Sequence, residues 1–207
     1  MAVVVPVLVA TAAIVVLGHH SGRPVASASR PAHHKPARLR STAIERALAR
    51  GVHPLAPKAD QALPILGSSR VRSLASFRGK VVVLNVFASW CDPCRADTAQ
   101  LDQAQAVIAG QGATVLGVAY QDKATATQAF ARHEHITYPI LRDPAGQFVR
   151  AFDITGVPET FVIDPHGRIV AARRFEADDR WLTQTLERAF PSRHLIPSGL
   201  QLKSPPT

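Results

Sequence analysis

The residues best suited to chemistry are two cysteines in the sequence Trp90-Cys91-Asp92-Pro93-Cys94. They are the only cysteines in the 207 residues, and two residues separate them. A thiolate is the reactive form of cysteine, and a second thiol so close to it can close a disulfide and open it again. We therefore predict a thiol–disulfide exchange centre at this pair.

A buried strand and a helix are expected to position the pair. The apolar run 81–87 precedes the cysteines and is typical of a buried strand. A helical pattern then begins near Pro93, whose missing N–H suits a first turn, and ends at Gly110 and Gly112. This places Cys91 at a helix N-terminus, where free N–H groups and the helix dipole stabilise a thiolate.

Three other interpretations of the cysteine pair are weaker. A zinc site needs four ligands, no second pair of this spacing exists, and His133 and His135 would point away from each other on a helix. A structural disulfide over so short a loop would restrain little of the unfolded chain. Inert buried thiols are disfavoured because the strand–turn–helix context is the one in which such pairs do redox chemistry.

The length of 207 residues fits one domain with terminal extensions, and a hydrophobic content of 46% is enough for a buried hydrophobic core. The net charge of +9 is unevenly distributed, because residues 1–58 carry +7 and residues 59–207 carry +2. A nucleic-acid-binding domain would carry its basic residues on the folded part. The charge therefore argues against nucleic acid as a partner.

The first 17 residues form an uninterrupted apolar run, long for a signal-peptide core and short for a membrane span. Ala-Ser-Ala at 26–28 is typical of a cleavage site. We interpret 1–17 as an export signal or membrane anchor, although the lack of Lys or Arg before it and the basic residues after it do not fit the positive-inside rule. We assign 18–58 to a basic, mostly disordered linker, 59–190 to the domain and 191–207 to a loose tail.

The order of predicted elements within residues 59–190 defines the fold class. A small hairpin precedes alternating strands and helices, and a second hairpin and a final helix follow. Alternating strands and helices favour parallel pairing, and the closing hairpin adds antiparallel strands. We predict an α/β fold: a three-layer α/β/α sandwich with a central mixed sheet and an extra N-terminal hairpin.

Two helices carry more specific expectations. Residues 41–50 are predicted to form a short helix with Ser41 as its cap. In the helix predicted over 125–134, the side chains expected to face the core are Ala126, Ala129 and Phe130.

Two motifs resemble the thioredoxin superfamily. The first is Trp90–Cys94, preceded by the sequence GKVVVLNV at 79–86, and the second is the sequence TGVPETFVID at 155–164. Together they are similar to the extracytoplasmic TlpA/ResA/CcmG-type proteins of cytochrome c maturation, and the resemblance covers roughly residues 59–190. The resemblance implies a thioredoxin fold, an N-terminal membrane tether, no metal or organic cofactor, and reduction of protein disulfides outside the cytoplasm.

The resemblance also implies roles for individual residues. Cys91 matches the nucleophile that attacks a substrate disulfide, and Cys94 matches the resolving thiol that releases the mixed disulfide. Pro158 matches a cis-proline that faces the cysteines and leaves the backbone of Val157 free to pair with substrate. Trp90 matches a residue beside the active site, although a core aromatic would satisfy the sequence equally well.

Acidic residues near the motifs have two interpretations each. Asp97 lies one turn after Cys94 and about 60° round the helix, where ResA-like proteins carry a glutamate. A carboxylate there would raise thiol pKa values and could accept the proton of Cys94, or it could simply interact with the helix dipole. Asp92 would also oppose a thiolate. Glu159 matches an acid that favours basic or cysteine-flanked substrates, or it is a strand-end charge.

The main functional hypothesis is a reductase of an oxidised C-x-x-C in an apocytochrome or another exported protein, with electrons from a membrane thiol carrier. A disulfide oxidase or isomerase is the second hypothesis, because the sequence does not set the direction of exchange. A metal-binding chaperone that uses both cysteines and a histidine is the third. The copper-carrying relatives of this fold have a longer cysteine spacing, which disfavours the chaperone hypothesis.

Ala99 is one departure from the family's sequence pattern, because the family usually has a helix-kinking proline at this position.

Overall fold

The computed structural model describes residues 41–193. The predicted segment 1–17, the linker as far as residue 40 and the tail from residue 194 lie outside these residues. Within the described part, no helix is both long enough and apolar enough to cross a bilayer.

The described residues alternate between short helices and strands. In chain order the elements are α1 Ala43–Ala49, β1 Leu63–Pro64, β2 Val71–Arg72, a 3-10 turn Leu74–Phe77, β3 Val81–Phe87, α2 Cys94–Ile108, β4 Ala113–Tyr120, α3 Ala124–His133, β5 Ile140–Asp143, α4 Gln147–Ala151, β6 Glu159–Ile163, β7 Ile169–Arg174, α5 Asp179–Ala189 and a 3-10 turn Pro191–Arg193.

Five strands form the central sheet, in the order β5-β4-β3-β6-β7. The pairs β3–β4 and β4–β5 are parallel, whereas β6 runs antiparallel to both β3 and β7. Strands β1 and β2 form a separate antiparallel hairpin. The predicted α/β class, mixed sheet and N-terminal hairpin are confirmed.

Helices cover both faces of the sheet. Leu101 of α2, Phe130 of α3 and Leu182 of α5 belong to one buried apolar cluster. Ile44 of α1 and Phe148 of α4 belong to a second cluster. The sheet separates these clusters because alternate residues of a strand point to opposite faces.

The register of β3, β6 and β7 brings three connections to one edge of the sheet. Val86 of β3 is paired with Glu159 of β6, which is paired with Arg174 of β7. The chain leaves β3, enters β6 and leaves β7 at this edge. The cysteine loop, the segment before β6 and the segment after β7 therefore meet there.

The cap of α1 differs from the prediction. The N-cap is Thr42 rather than Ser41: the Thr42 hydroxyl accepts the Glu45 N–H at 3.1 Å, and the Glu45 carboxylate accepts the Thr42 N–H at 2.7 Å. This reciprocal pair needs an acid three residues after the cap, and Glu45 stands at that spacing from Thr42.

Residues 41–58, which we assigned to the linker, include ordered structure that packs on the domain. Ile44 is buried in the second cluster. The Glu45 carboxylate forms an ion pair with Arg174 at 2.8 Å, and the Ala43 N–H donates to Asp153 at 3.1 Å. Helix α1 is thus attached beside the edge at which β6 begins.

The core face of α3 is partly different from the prediction. Phe130 is buried as expected, but Ala129 is exposed and Thr127 is buried instead. The Thr127 hydroxyl donates to the Asp122 carboxylate at 3.1 Å. This hydrogen bond lets a polar side chain take the core position three residues before Phe130.

Candidate active site

The two cysteines form a disulfide at the start of α2. The first residue of the helix is Cys94, and Cys91 lies one turn earlier, where its carbonyl accepts the Cys94 N–H at 3.1 Å. Cys91 is 5% exposed, whereas Cys94 is fully buried. An external thiol can therefore approach Cys91 and not Cys94.

A single carboxylate anchors the turn that leads from β3 to the cysteines. The Ser89 N–H and hydroxyl both donate to Asp122, at 2.8 and 2.9 Å. Asp122 lies just after β4, the neighbour of β3 in the sheet. The position of the cysteine loop is therefore fixed by two adjacent strands.

The peptide bond between Val157 and Pro158 is cis. Pro158 is buried, and Val157 packs against the cluster that contains both cysteines. The Pro158 carbonyl accepts the Phe175 N–H at 2.9 Å, which joins this segment to the residues after β7. The predicted cysteines and cis-proline thus meet at one edge of the sheet.

Asp97 is fully buried one turn after Cys94. Its carboxylate accepts the Ala177 N–H at 2.9 Å and the Asn85 amide at 3.4 Å. Burial raises the pKa of Asp97 from the ordinary 3.8 to about 7, with a further upward contribution from Glu176. Its two hydrogen bonds lower the pKa, but by less than burial raises it. A carboxyl group with this pKa gains and loses a proton near neutral pH, as a proton carrier for a thiol must.

Asn85 and, through it, Thr160 support Asp97, and neither residue is predicted from the sequence. The Asn85 amide also donates to the Thr160 hydroxyl at 3.0 Å, and both side chains are fully buried. A polar residue within the apolar run 81–87 is the signal that could have identified Asn85, because a buried amide needs hydrogen-bond partners.

Tyr138 is a second buried group that the sequence did not single out. Its hydroxyl has no hydrogen-bond partner among the described residues. Burial is the main cause that raises the pKa of Tyr138, and the charges of Asp102 and Asp97 add to the effect. The hydroxyl therefore stays protonated and is available as a donor on the Asp97 side of the sheet.

Glu159 does not lie on the face of the sheet that carries the cysteines. Its neighbour Thr160 faces Asn85 and Asp97, so Glu159 points to the opposite face of the sheet. It is 1% exposed, and burial raises its pKa from 4.5 to about 7, although the charge of Arg174 acts in the other direction. The structure thus separates Glu159 from the sulfur atoms, and its substrate-binding role stays a prediction.

Trp90 is 60% exposed beside Cys91, so it is not a core aromatic. Asp92, between the cysteines, is also exposed. Within residues 41–193, no cluster of three or more His, Cys, Asp or Glu side chains is arranged to hold a metal ion.

A mixed sheet with a C-x-x-C disulfide at the first helix after its central strand, next to a cis-proline, defines the class of thioredoxin-like proteins. The AhpC/TSA family profile matches residues 57–172, more than half of the chain, and the chain belongs to this family.

The predicted resemblance to ResA-type proteins is confirmed. The chain is 30% identical over 96 residues to thiol-disulfide oxidoreductase ResA of Geobacillus kaustophilus, covering 46% of this chain and 55% of ResA. It is 37% identical over 93 residues to thiol:disulfide interchange protein DsbE of Pasteurella multocida, covering 44% of this chain and 49% of DsbE. The chain thus spans about half the length of the curated relatives it matches.

The fold is shared with solved structures of the same class. A DsbF homologue from Corynebacterium diphtheriae superposes with a TM-score of 0.58 at 27% sequence identity. The match covers 67% of this chain and 88% of that chain.

Proposed function

We propose that this protein is an extracytoplasmic thiol–disulfide oxidoreductase that reduces disulfides in exported proteins. The observation that carries the proposal is the Cys91–Cys94 disulfide, in which one cysteine reaches the surface and the other is enclosed. The names of the relatives ResA and DsbE support the activity. The apolar segment 1–17 supports export or membrane attachment.

The proposed reaction has two exchange steps. In the reduced protein, the Cys91 thiolate attacks a substrate disulfide, forms a mixed disulfide and releases one substrate thiolate, which takes up a proton. The Cys94 thiol then gives its proton to Asp97 and attacks Cys91. This step re-forms the Cys91–Cys94 disulfide and releases the second substrate sulfur as a thiolate, which takes up a proton from Asp97 or from water. Two electrons pass from the pair to the substrate.

The proposed substrate is an oxidised C-x-x-C, as in an apocytochrome c, and a membrane thiol carrier would return the electrons. Both assignments rest on the resemblance to cytochrome-maturation proteins. The reverse direction, in which the protein donates its disulfide as an oxidase or isomerase, uses the same atoms. The direction depends on the reduction potential of the pair.

The first experiment is therefore the equilibrium reduction potential of the Cys91–Cys94 pair against glutathione or dithiothreitol. We expect a value near or below about −270 mV, the potential of thioredoxin. A value close to about −120 mV, typical of a strong periplasmic oxidant, would make the protein a disulfide donor and contradict the reductase proposal.

The proposed location has its own test. An alkaline phosphatase fused after Thr207 becomes active only where its own disulfides form, outside the cytoplasm. We expect an active fusion, and loss of activity when residues 1–17 are deleted. If a reporter that works only in the cytoplasm is active when fused at the same place, and the alkaline phosphatase fusion is inactive, the extracytoplasmic location is refuted.

A further inference from the structure

Phe175, directly after β7, combines two features that the core does not explain. Its side chain is 59% exposed, and its backbone has φ of 60°. The left-handed region is strained for a bulky side chain and favours glycine. An exposed aromatic ring in strained backbone contributes little to the core, and such residues cluster at functional sites.

Two hydrogen bonds hold Phe175 at the redox site. Its own N–H donates to the carbonyl of cis-Pro158 at 2.9 Å. Two residues later, the Ala177 N–H donates to the buried carboxylate of Asp97 at 2.9 Å. The segment 175–177 therefore bridges the cis-proline and the acid one turn after Cys94, and the main chain at Phe175 cannot leave that edge without breaking these hydrogen bonds.

Trp90 is the matching exposed aromatic on the cysteine loop. It precedes Cys91, and the cysteine loop meets the segment after β7 at the same edge of the sheet. Two exposed acids, Asp92 and Glu176, follow Trp90 and Phe175 by two residues and one residue. One exposed aromatic thus precedes the accessible cysteine and the other is bonded to the cis-proline, and an exposed acid follows each of them.

We propose that Phe175 is a specificity-determining residue that contacts the polypeptide substrate. Phe175 and Trp90 form two apolar walls that take an apolar side chain next to the substrate cysteine. Asp92 and Glu176 complement a lysine or arginine in the same segment. The inference rests on the proposed exchange activity, and it names the class of substrate: an extended segment with an apolar and a basic residue beside its cysteine.

The test is the Phe175→Gly variant of the full chain, because glycine adopts this backbone conformation without strain and the fold is kept. The substrates are two oxidised C-x-x-C peptides with one lysine each, which differ only in leucine or serine beside the first cysteine. For the leucine peptide we expect kcat/KM to fall about tenfold, mainly through KM. The serine peptide should change little, and so should the reaction with dithiothreitol.

Val71→Gly is the matched control, because Val71 is 60% exposed on the β1–β2 hairpin and away from the cysteines. It should leave both peptides unaffected. Equal losses for the two peptides, or an equal loss with dithiothreitol, would overturn the role of Phe175. If the reduced wild-type protein fails to reduce either peptide, the proposed function itself fails, so the two failures are distinguishable.

Discussion

The Cys94→Ser variant is expected to accumulate a covalent mixed disulfide with its substrate. Cys91 reaches the surface and can still attack, but the buried thiol that would release the complex is absent. Turnover should fall by more than about 10⁴-fold, as when a nucleophile of a catalytic unit is removed. The adduct is measured as a mass increase equal to the substrate peptide, and it should disappear with dithiothreitol.

The Cys91→Ser variant is the matched control for this experiment. Cys94 is fully buried, so it should form no adduct although its thiol is intact. Adducts of similar yield through either cysteine would contradict the assignment of Cys91 as nucleophile and Cys94 as resolving thiol. A Cys94→Ser variant with normal turnover would contradict the two-step exchange.

The Asp97→Asn variant is expected to slow resolution of the mixed disulfide by about 10²-fold at neutral pH, the usual contribution of a general base. In the wild-type protein, resolution should speed up as pH rises through about 7, because the ionised carboxylate accepts the Cys94 proton and the pKa of Asp97 is raised to about 7. The variant should lose this step in the pH profile. Single-turnover kinetics with a preformed mixed disulfide measure the resolution step alone.

The same substitution should stabilise the oxidised protein above neutral pH. The pKa of Asp97 is raised from 3.8 to about 7 on folding, so the folded state holds the proton more tightly than the unfolded chain does. Stability that is fully present below pH 3.8 is lost as pH rises to about 7, by about 4 kcal/mol. Asparagine removes this loss, because it stays neutral.

The buried surroundings of Asp97 can accept the amide. The Asn85 Oδ1 atom has no hydrogen-bond partner among the described residues, and a 180° turn of the Asn85 amide would let it accept from the new amide group and from the Thr160 hydroxyl. Asp102→Asn, on the same helix, is the control, because the half-buried carboxylate of Asp102 accepts the N–H and hydroxyl of Thr137 and makes no hydrogen bond to Asn85 or Ala177 among those described. If Asp97→Asn slows resolution equally at every pH, Asp97 acts by positioning and not by proton transfer. If the urea midpoints of the wild type and the variant differ by the same amount at every pH, the burial of Asp97 does not affect stability.

Much of the fold could be predicted because its signals are local. The buried run 81–87 and the spacing of apolar residues after Cys94 each define an element by themselves. The alternation of these elements then defines the sheet topology. The predicted cap of α1 was wrong by one residue, and the predicted core face of α3 placed Ala129 where Thr127 is buried. Side-chain hydrogen bonds, and not the spacing of apolar residues, decide both features.

The site was only partly predictable, because its cysteines are adjacent in sequence and its acids are not. The burial of Asp97 depends on Ala177, 80 residues away, and no local pattern indicates that contact. The face of Glu159 depends on the pairing of Thr160 with Asn85 across two strands. The left-handed backbone of Phe175 cannot be predicted from a residue type that avoids it.

The contacts between Ser89 and Asp122 have a consequence for the whole catalytic cycle. Because both oxygens of one carboxylate hold the backbone and side chain of Ser89, the cysteine loop keeps its position independently of the disulfide. We therefore expect opening and closing of the disulfide to displace the sulfur atoms more than the main chain. The conformational entropy of this loop is lost once, when the chain folds, and not again at each turnover.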